Sequence, residues 1–323
     1  MRNAVTLCCA AALMLISADV PAAGAAAAYP GRPIRVIVPS APSSGPDIIA
    51  RLIGSKLAEA WGQQVVTDNR AGAAGTIATE IAARATPDGY TLELVTSQTL
   101  IAGLFFEKPP YNLIGDFSHI CLIASTPYVL VANPSVAATS VKELIALARA
   151  KPGTLHYGSS GTGGALHLTG EMFKSMAGID LVHVPYKSVV FAMIDVMGGQ
   201  VQLAFSVVPA ALPAIKQGKL KALGVTTAKR TPLAPDLEAI AETVPGYEMI
   251  GWYGLVAPLK TPDGIIARLN AEIVKALKSA EIKEKLQALG ADPIGTTPRE
   301  FASFLLVETE KTRKTIKASG IRP

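Results

Sequence analysis

From Tyr29 onward the chain alternates short apolar runs with segments of helical periodicity, and this alternation restricts its possible folds more than any other feature. Residues 34–38 read as a strand, 46–61 as a helix ending at Gly62, 64–67 as a strand, 76–85 as a helix and 90–95 as a strand. In the first helix Ile48, Ile49, Leu52, Ile53, Leu57, Ala60 and Trp61 recur at helical spacing, which predicts one buried face. A second series opens with YVLVAN (128–133) and a helix from Val141, where Ser140 and Glu143 fit a capping box. It continues with a strand at Leu155, helices at Ala165 and Phe191, and strands at Val182, Val201 and 221–226. After WYGLVAP (252–258), Thr261-Pro262 and Thr297-Pro298 each read as an N-cap followed by a first-turn proline. Strands alternating with helices predict an α/β architecture with largely parallel sheets.

Half of the 323 residues are hydrophobic and 17% are charged, enough for one large core or two lobes. The formal charge is +5, but no run of Lys or Arg exceeds two and aromatics make up only 6%, a pattern unlike a nucleic-acid binder. At the N-terminus, Arg2 precedes an apolar stretch from Ala4 to Ile16 and then VPAAGAAAAYP, which reads as an export signal cleaved between 22 and 28. The stretch is too short to span a bilayer. Cleavage leaves an exported chain from residue 29, without Cys8 and Cys9. Cys121, flanked by Ile120 and Leu122, then has no disulfide partner and reads as a core residue.

Parallel α/β sheets receive ligands beyond the carboxyl ends of their strands, where loops enter helix N-termini. Two loops fit: PSAPSSGPD (39–47) and SSGTGG (159–164). In the second, Gly161, Gly163 and Gly164 can aim successive N–H groups at one spot while Ser159, Ser160 and Thr162 add hydroxyls, the chemistry of an anion cradle. The plainer reading of these serines is turn chemistry, and that of Asp47 a helix-dipole partner. His167, in the first turn of a helix, is either a ligand contact or a packed residue. Tyr186 and Lys187 of HVPYKS either face the cleft or form a surface turn, and Trp252 and Tyr253 suit packing between lobes. Enzymatic machinery is not visible. The four histidines include no HExxH, and there is no paired-cysteine metal pattern. GxSxG fails at Thr162, GxGxxG fails at Leu166, and a Walker A pattern ending in Gly218-Lys219 has Pro213 in place of its first glycine. No metal or cofactor is expected.

The ordered motifs resemble those of the Bug-type extracytoplasmic solute receptors associated with tripartite tricarboxylate transporters. They are YPGRPIRVIVP, GPDIIARLIGSKLAEAWGQQVVTDNRAGAAG, TPDGYTL, the long stretch from KELIALARAKPGTLHYGSS to HVPYK, GGQVQLAF, ALPAIKQGKLKALGVTTAKR, PGYEMIGWYGLVAP and ARLNAEI. The resemblance implies a two-lobed type II periplasmic binding protein, each lobe a mostly parallel sheet flanked by helices. Residues 29–125 plus 252–323 would form one lobe and 126–251 the other, closing on a small carboxylated solute without catalysis. It places the ligand among Ser40, Ala41, Pro42, Ser43, Ser44, Gly45, Pro46 and Asp47 on one side. Facing them would be Ser159, Ser160, Gly161, Thr162, Gly163 and Gly164, with help from 69–75 and from Ser97 within 96–99. His167, Tyr186, Lys187 and Ser206 complete the candidate set. Many family members carry an Asp where this chain has Ser206, so an acid without an amino group, a dicarboxylate or aromatic acid, is the expected solute. Membrane permease subunits, or alternatively a sensor kinase, are the implied partners, and a monomer is the default. A remote alternative is an exported hydrolase using Ser159 or Ser160 with His167.

Overall fold

The computed structural model describes residues 29–105 and 110–321. The expected export signal lies outside the described residues. The first block contains β1 (Ile34–Val38), α1 (Gly45–Trp61), β2 (Val65–Asn69), α2 (Thr76–Ala83), β3 (Thr91–Thr96) and α3 (Ser97–Leu104). The long strand β4 (Phe117–Ala132) then leads to α4 (Val141–Ala150), β5 (His156–Ser159), α5 (Ala165–Ala177), β6 (Val182–Pro185), α6 (Val189–Met197), β7 (Leu203–Val207), α7 (Val208–Lys216), β8 (Lys221–Val225) and the one-turn α8 (Ile240–Thr243). β9 (Ile250–Pro258) returns the chain, followed by α9 (Asp263–Leu277), α10 (Ala280–Ala288), β10 (Asp292–Pro293) and α11 (Pro298–Ser319).

Local chemistry explains most helix ends. Gly62 takes the left-handed conformation and returns its N–H to Ala58 O, which stops α1. Thr297 and Glu300 form a complete capping box with Pro298 in the first turn of α11. At α4 only half of the box forms: Ser140 accepts from Glu143 N–H, while the Glu143 carboxylate turns to Thr139. The Thr261-Pro262 expectation is corrected, since Thr261 Oγ1 donates to Pro258 O and extended Pro262 caps a helix starting at Asp263. On α1 the buried stripe includes Ile49, Leu52, Ile53 and Leu57, but Ile48 and Ala60 are exposed.

Strand directions decide where a ligand can sit. β2, β1 and β3 are mutually parallel, and so are β6, β5 and β7. β4 joins the two sets, pairing β9 and β10 through its first part and β7 and β8 through its second. Each lobe is therefore a mixed sheet, its parallel core extended by antiparallel pairs, because the chain must cross between lobes as extended strands running both ways. β3 is antiparallel to β9 and β9 to β4, so β3 runs with β4 toward the second lobe. β7 is antiparallel to β4 and runs toward the first. The carboxyl ends of both parallel sets thus face each other. Thr96 lies across Tyr253, itself across Ala124, while Val207 lies across Tyr128. Residues 124–128 consequently form a floor about 13 Å long.

Both sheets are covered on two faces by apolar clusters. Two helices contribute to both lobes. α3 places Leu100 in the first lobe's core and Ile101 in the second's. α11 buries Phe301 and Leu305 in the first, while Ile316 packs against the second. Cys121 is buried, in keeping with its reading as a core residue.

Candidate functional site

The 39–44 loop leaves β1 and turns into α1. Ser43 has φ = 64°, a left-handed state that a serine keeps only when its surroundings impose it. The constraint is Asp47, which is 2% exposed. Its Oδ2 accepts Ser43 N–H at 2.8 Å, its Oδ1 accepts Asn69 Nδ2 at 2.9 Å, and both oxygens accept Arg51 Nε at 3.1 Å. Burial opposes charge on this carboxyl, but the bonds from Arg51, Asn69 and Ser43 outweigh it and hold its pKa below the ordinary value. Asn69 also donates to Ser40 O, fastening the end of β2 to the loop. Ser44 Oγ donates to Ala41 O and meets Ser40 Oγ at 2.6 Å, so α1 starts without a side-chain cap. Ala41, Pro42 and Ser43 are exposed, and Ser40, Gly45 and Pro46 half-buried. Asp47 is committed to the loop's own structure.

Beside it, Gly72, Ala73, Ala74 and Gly75 all have positive φ, two of them alanines. Gly75 is required by packing as well: a Cβ there would lie 2.5 Å from Thr99 Cγ2 and 3.0 Å from Pro39 Cβ. The sequence signal was NRAGAAG, but composition alone does not reveal left-handed alanines.

The 159–164 loop is supported differently. Ser159 is fully buried, and its Oγ lies 2.7 Å from His183 Nε2, accepts Gly161 N–H at 3.2 Å and approaches Gly161 O at 3.1 Å. Gly163 N–H donates to His167 Nδ1 at 3.0 Å, and Gly164 N–H to Gly161 O at 3.4 Å. The glycine amides expected to converge on an anion therefore point into the loop and its support, because His167, Ser159 and Gly161 supply acceptors behind them. Ser160 and Thr162 carry the exposed hydroxyls. His167, 5% exposed, is packed as a buttress rather than presented to the cleft. His183, which sequence reasoning did not single out, stacks on it at 3.6 Å and 13°.

Of the remaining candidates, Ser97 is half-buried at the start of α3 and Lys187 is exposed. Tyr186 is tied by its hydroxyl to Asp195 at 2.6 Å. Ser206 is fully buried in β7, bonded only weakly to Val207 O at 3.4 Å. Gln98 was missed as an individual residue: its Oε1 reaches across from α3 to accept Ala165 N–H at 3.3 Å. Phe105 approaches Gly163 from the same side. Trp252 packs against Phe301 and Phe304. Among the described residues no cluster of three or more metal-ligating side chains occurs, and no helix is long and apolar enough to cross a membrane.

Residues 49–321 match the family described as tripartite tricarboxylate transporter family receptor, TctC. Protein BugT of Bordetella pertussis is 33% identical over 313 residues, covering 96% of each chain. An R. palustris protein solved with adipate is similar at 36% identity and TM-score 0.76, over 91% of this chain and 99% of that one. MatC from Rhodopseudomonas palustris, with bound malate, is similar at 29% identity and TM-score 0.73, over 89% and 100%.

Proposed function

The chain belongs to the TctC family of tripartite tricarboxylate transporter receptors, and from that premise we propose that it captures a small dicarboxylate between its lobes in the periplasm and delivers it to a membrane transporter. The family is one of solute receptors, not enzymes. The observation that supports the proposal is the convergence of strand ends: β4 orients both parallel sets so that their carboxyl ends, which lead into the 39–44 and 159–164 loops, face each other. Neutral hydroxyls on Ser43, Ser160 and Thr162, with Ser97 and Gln98 between them, suit carboxylate oxygens without a fixed counter-charge that would slow release. Asp47 is already satisfied by Arg51, Asn69 and Ser43, and Ser206 offers no carboxylate, so an α-ammonium group has no partner in this set. The bound adipate and malate of two similar proteins support the same class. The lobes divide at Ser125/Thr126 and Gly251/Trp252, with α11 resting on both.

The test is titration calorimetry of the mature protein with adipate, malate, aspartate, glutamate and a sugar. Micromolar or tighter binding of a dicarboxylate, weakened about tenfold in Ser160→Ala, is expected. Tight binding of the amino acids alone, or of the sugar alone, overturns the proposal.

A further inference from the structure

The base of the 159–164 loop holds a feature that solute capture by itself does not require. Two imidazoles, one from the first turn of α5 and one from β6, stack at 3.6 Å directly behind it. Each bonds to the loop: His167 Nδ1 accepts Gly163 N–H, and His183 Nε2 meets Ser159 Oγ, which in turn accepts Gly161 N–H. Two of the loop's amides are therefore held, directly or through one hydroxyl, by histidines.

We infer that the stacked His167–His183 pair is a proton-sensitive positioning device, holding the second-lobe loop in its ligand-receiving shape when neutral and releasing it when His167 is protonated. The inference rests on the reading of this loop as part of the ligand cleft. Nδ1 can accept Gly163 N–H only while it carries no proton, and a protonated Nδ1 would set donor against donor at 3.0 Å. Two rings 3.6 Å apart cannot both be charged without strong repulsion, so the pair takes one proton.

The surrounding groups set the direction. On α5, Glu171 Oε1 lies 3.9 Å from His167 Nε2, but that carboxylate is already engaged by Tyr157 Oη at 2.7 Å and Lys174 Nζ at 2.9 Å. From β5 come Tyr157 and Ser159, both neutral, and from β7 Phe205 against Tyr157. α11 brings Lys311 and Lys314 to the opposite side of α5, near Met172 and Met176. Burial is the largest influence on both histidines and lowers their pKa, taking His183 to about 4. The repulsion between the rings is mutual, but the Glu171 carboxylate stands 3.9 Å from His167 Nε2 and favours its charged form, so His167 takes the proton first, in medium more acidic than an ordinary histidine needs.

The experiment uses the mature chain labelled with 15N and free of ligand. The Gly163 amide and the His167 ring nitrogens are followed by NMR from about pH 8 to about pH 4. Both should move with one midpoint below that of free histidine. In His167→Asn, whose Oδ1 stands near the Nδ1 position and does not titrate, the Gly163 step should vanish. Calorimetry with adipate then compares wild type and His167→Asn at about pH 7 and about pH 5. Wild type should lose roughly fivefold more affinity than the variant, adipate's own protonation being common to both. A Gly163 amide that ignores the His167 titration overturns the inference, as does an equal acid loss of affinity in the two proteins. Failure of adipate to bind at any pH would overturn the ligand class, while the amide titration in wild type would still decide the device.

Discussion

The 39–47 and 159–167 segments each follow a parallel strand, in opposite lobes, and are held by opposite electrostatic means. The first is tied by an ion: Asp47, almost completely buried, gathers Ser43 N–H, Asn69 and Arg51, and so forces Ser43 into a left-handed conformation. The second is held by neutral groups, two imidazoles and a buried hydroxyl. An ionised carboxylate keeps its bonds down to strongly acidic pH, because those bonds depress its pKa. An imidazole acceptor fails earlier, as soon as it gains a proton. The proposed cleft would thus combine a wall that is stiff over a wide pH range with one that acid can loosen. The lobes differ below the surface too. Glu93 in β3 is fully buried, takes one bond from Thr79, and burial raises its pKa to about 8.

The contrast can be tested by unsettling each lobe, beginning with the largest effect. The unfolded chain releases the Glu93 proton near the ordinary value of 4.5, whereas the folded chain keeps it to about 8. Stability is therefore full below the ordinary range, falls as pH rises through this window and levels off above it. Glu93→Gln should remove that decline, on the order of 5 kcal/mol, in urea melts at several pH values. An unchanged pH profile would mean that the buried acid in the first lobe does not titrate as described. In the second lobe, Gly170→Ala puts a Cβ 2.2 Å from the Tyr157 ring beneath the histidine pair. It should cost about 3 kcal/mol in the same melts, and a tolerated substitution would contradict the tight base attributed to this loop. Asp47→Ala strips the acceptor from three donors and should destabilise the first lobe by about 2 kcal/mol. A loss of less than about 0.5 kcal/mol would show that the carboxylate is not what shapes its loop. Ser160→Ala is the smallest, leaving stability within about 0.5 kcal/mol because the residue is exposed. A large drop in the apo protein would make this serine structural, like its neighbour Ser159.

How far these features could be read beforehand depends on the range of the interactions that create them. Gly62 stopping α1 and Thr297-Pro298 opening α11 involve residues within one turn, and both were legible. The first part of β4, 117–127, was not, because it is buried on both faces along most of its length and shows no period of two. α7 was hidden by Pro209 and Pro213, which read as breakers although a nine-residue helix accommodates both. SSGTGG was recognisable as a glycine- and hydroxyl-rich turn between a strand and a helix, but the direction of its amides was not. His183 lies 24 residues from Ser159 and carried no local sign that it would stand behind it.

Alternating apolar runs, glycine and serine at strand ends and helix caps were all determined by the chain itself, since each expresses a preference acting over a few neighbouring residues. From these came an α/β fold and two loops rich in hydroxyls. Only the tertiary structure decided that the loops face each other, because this follows from the direction in which β4 pairs with β9 and β7. It also decided which donors remain for a ligand, since a buried amide takes the nearest acceptor that folding brings to it, and for Gly163 that acceptor is His167.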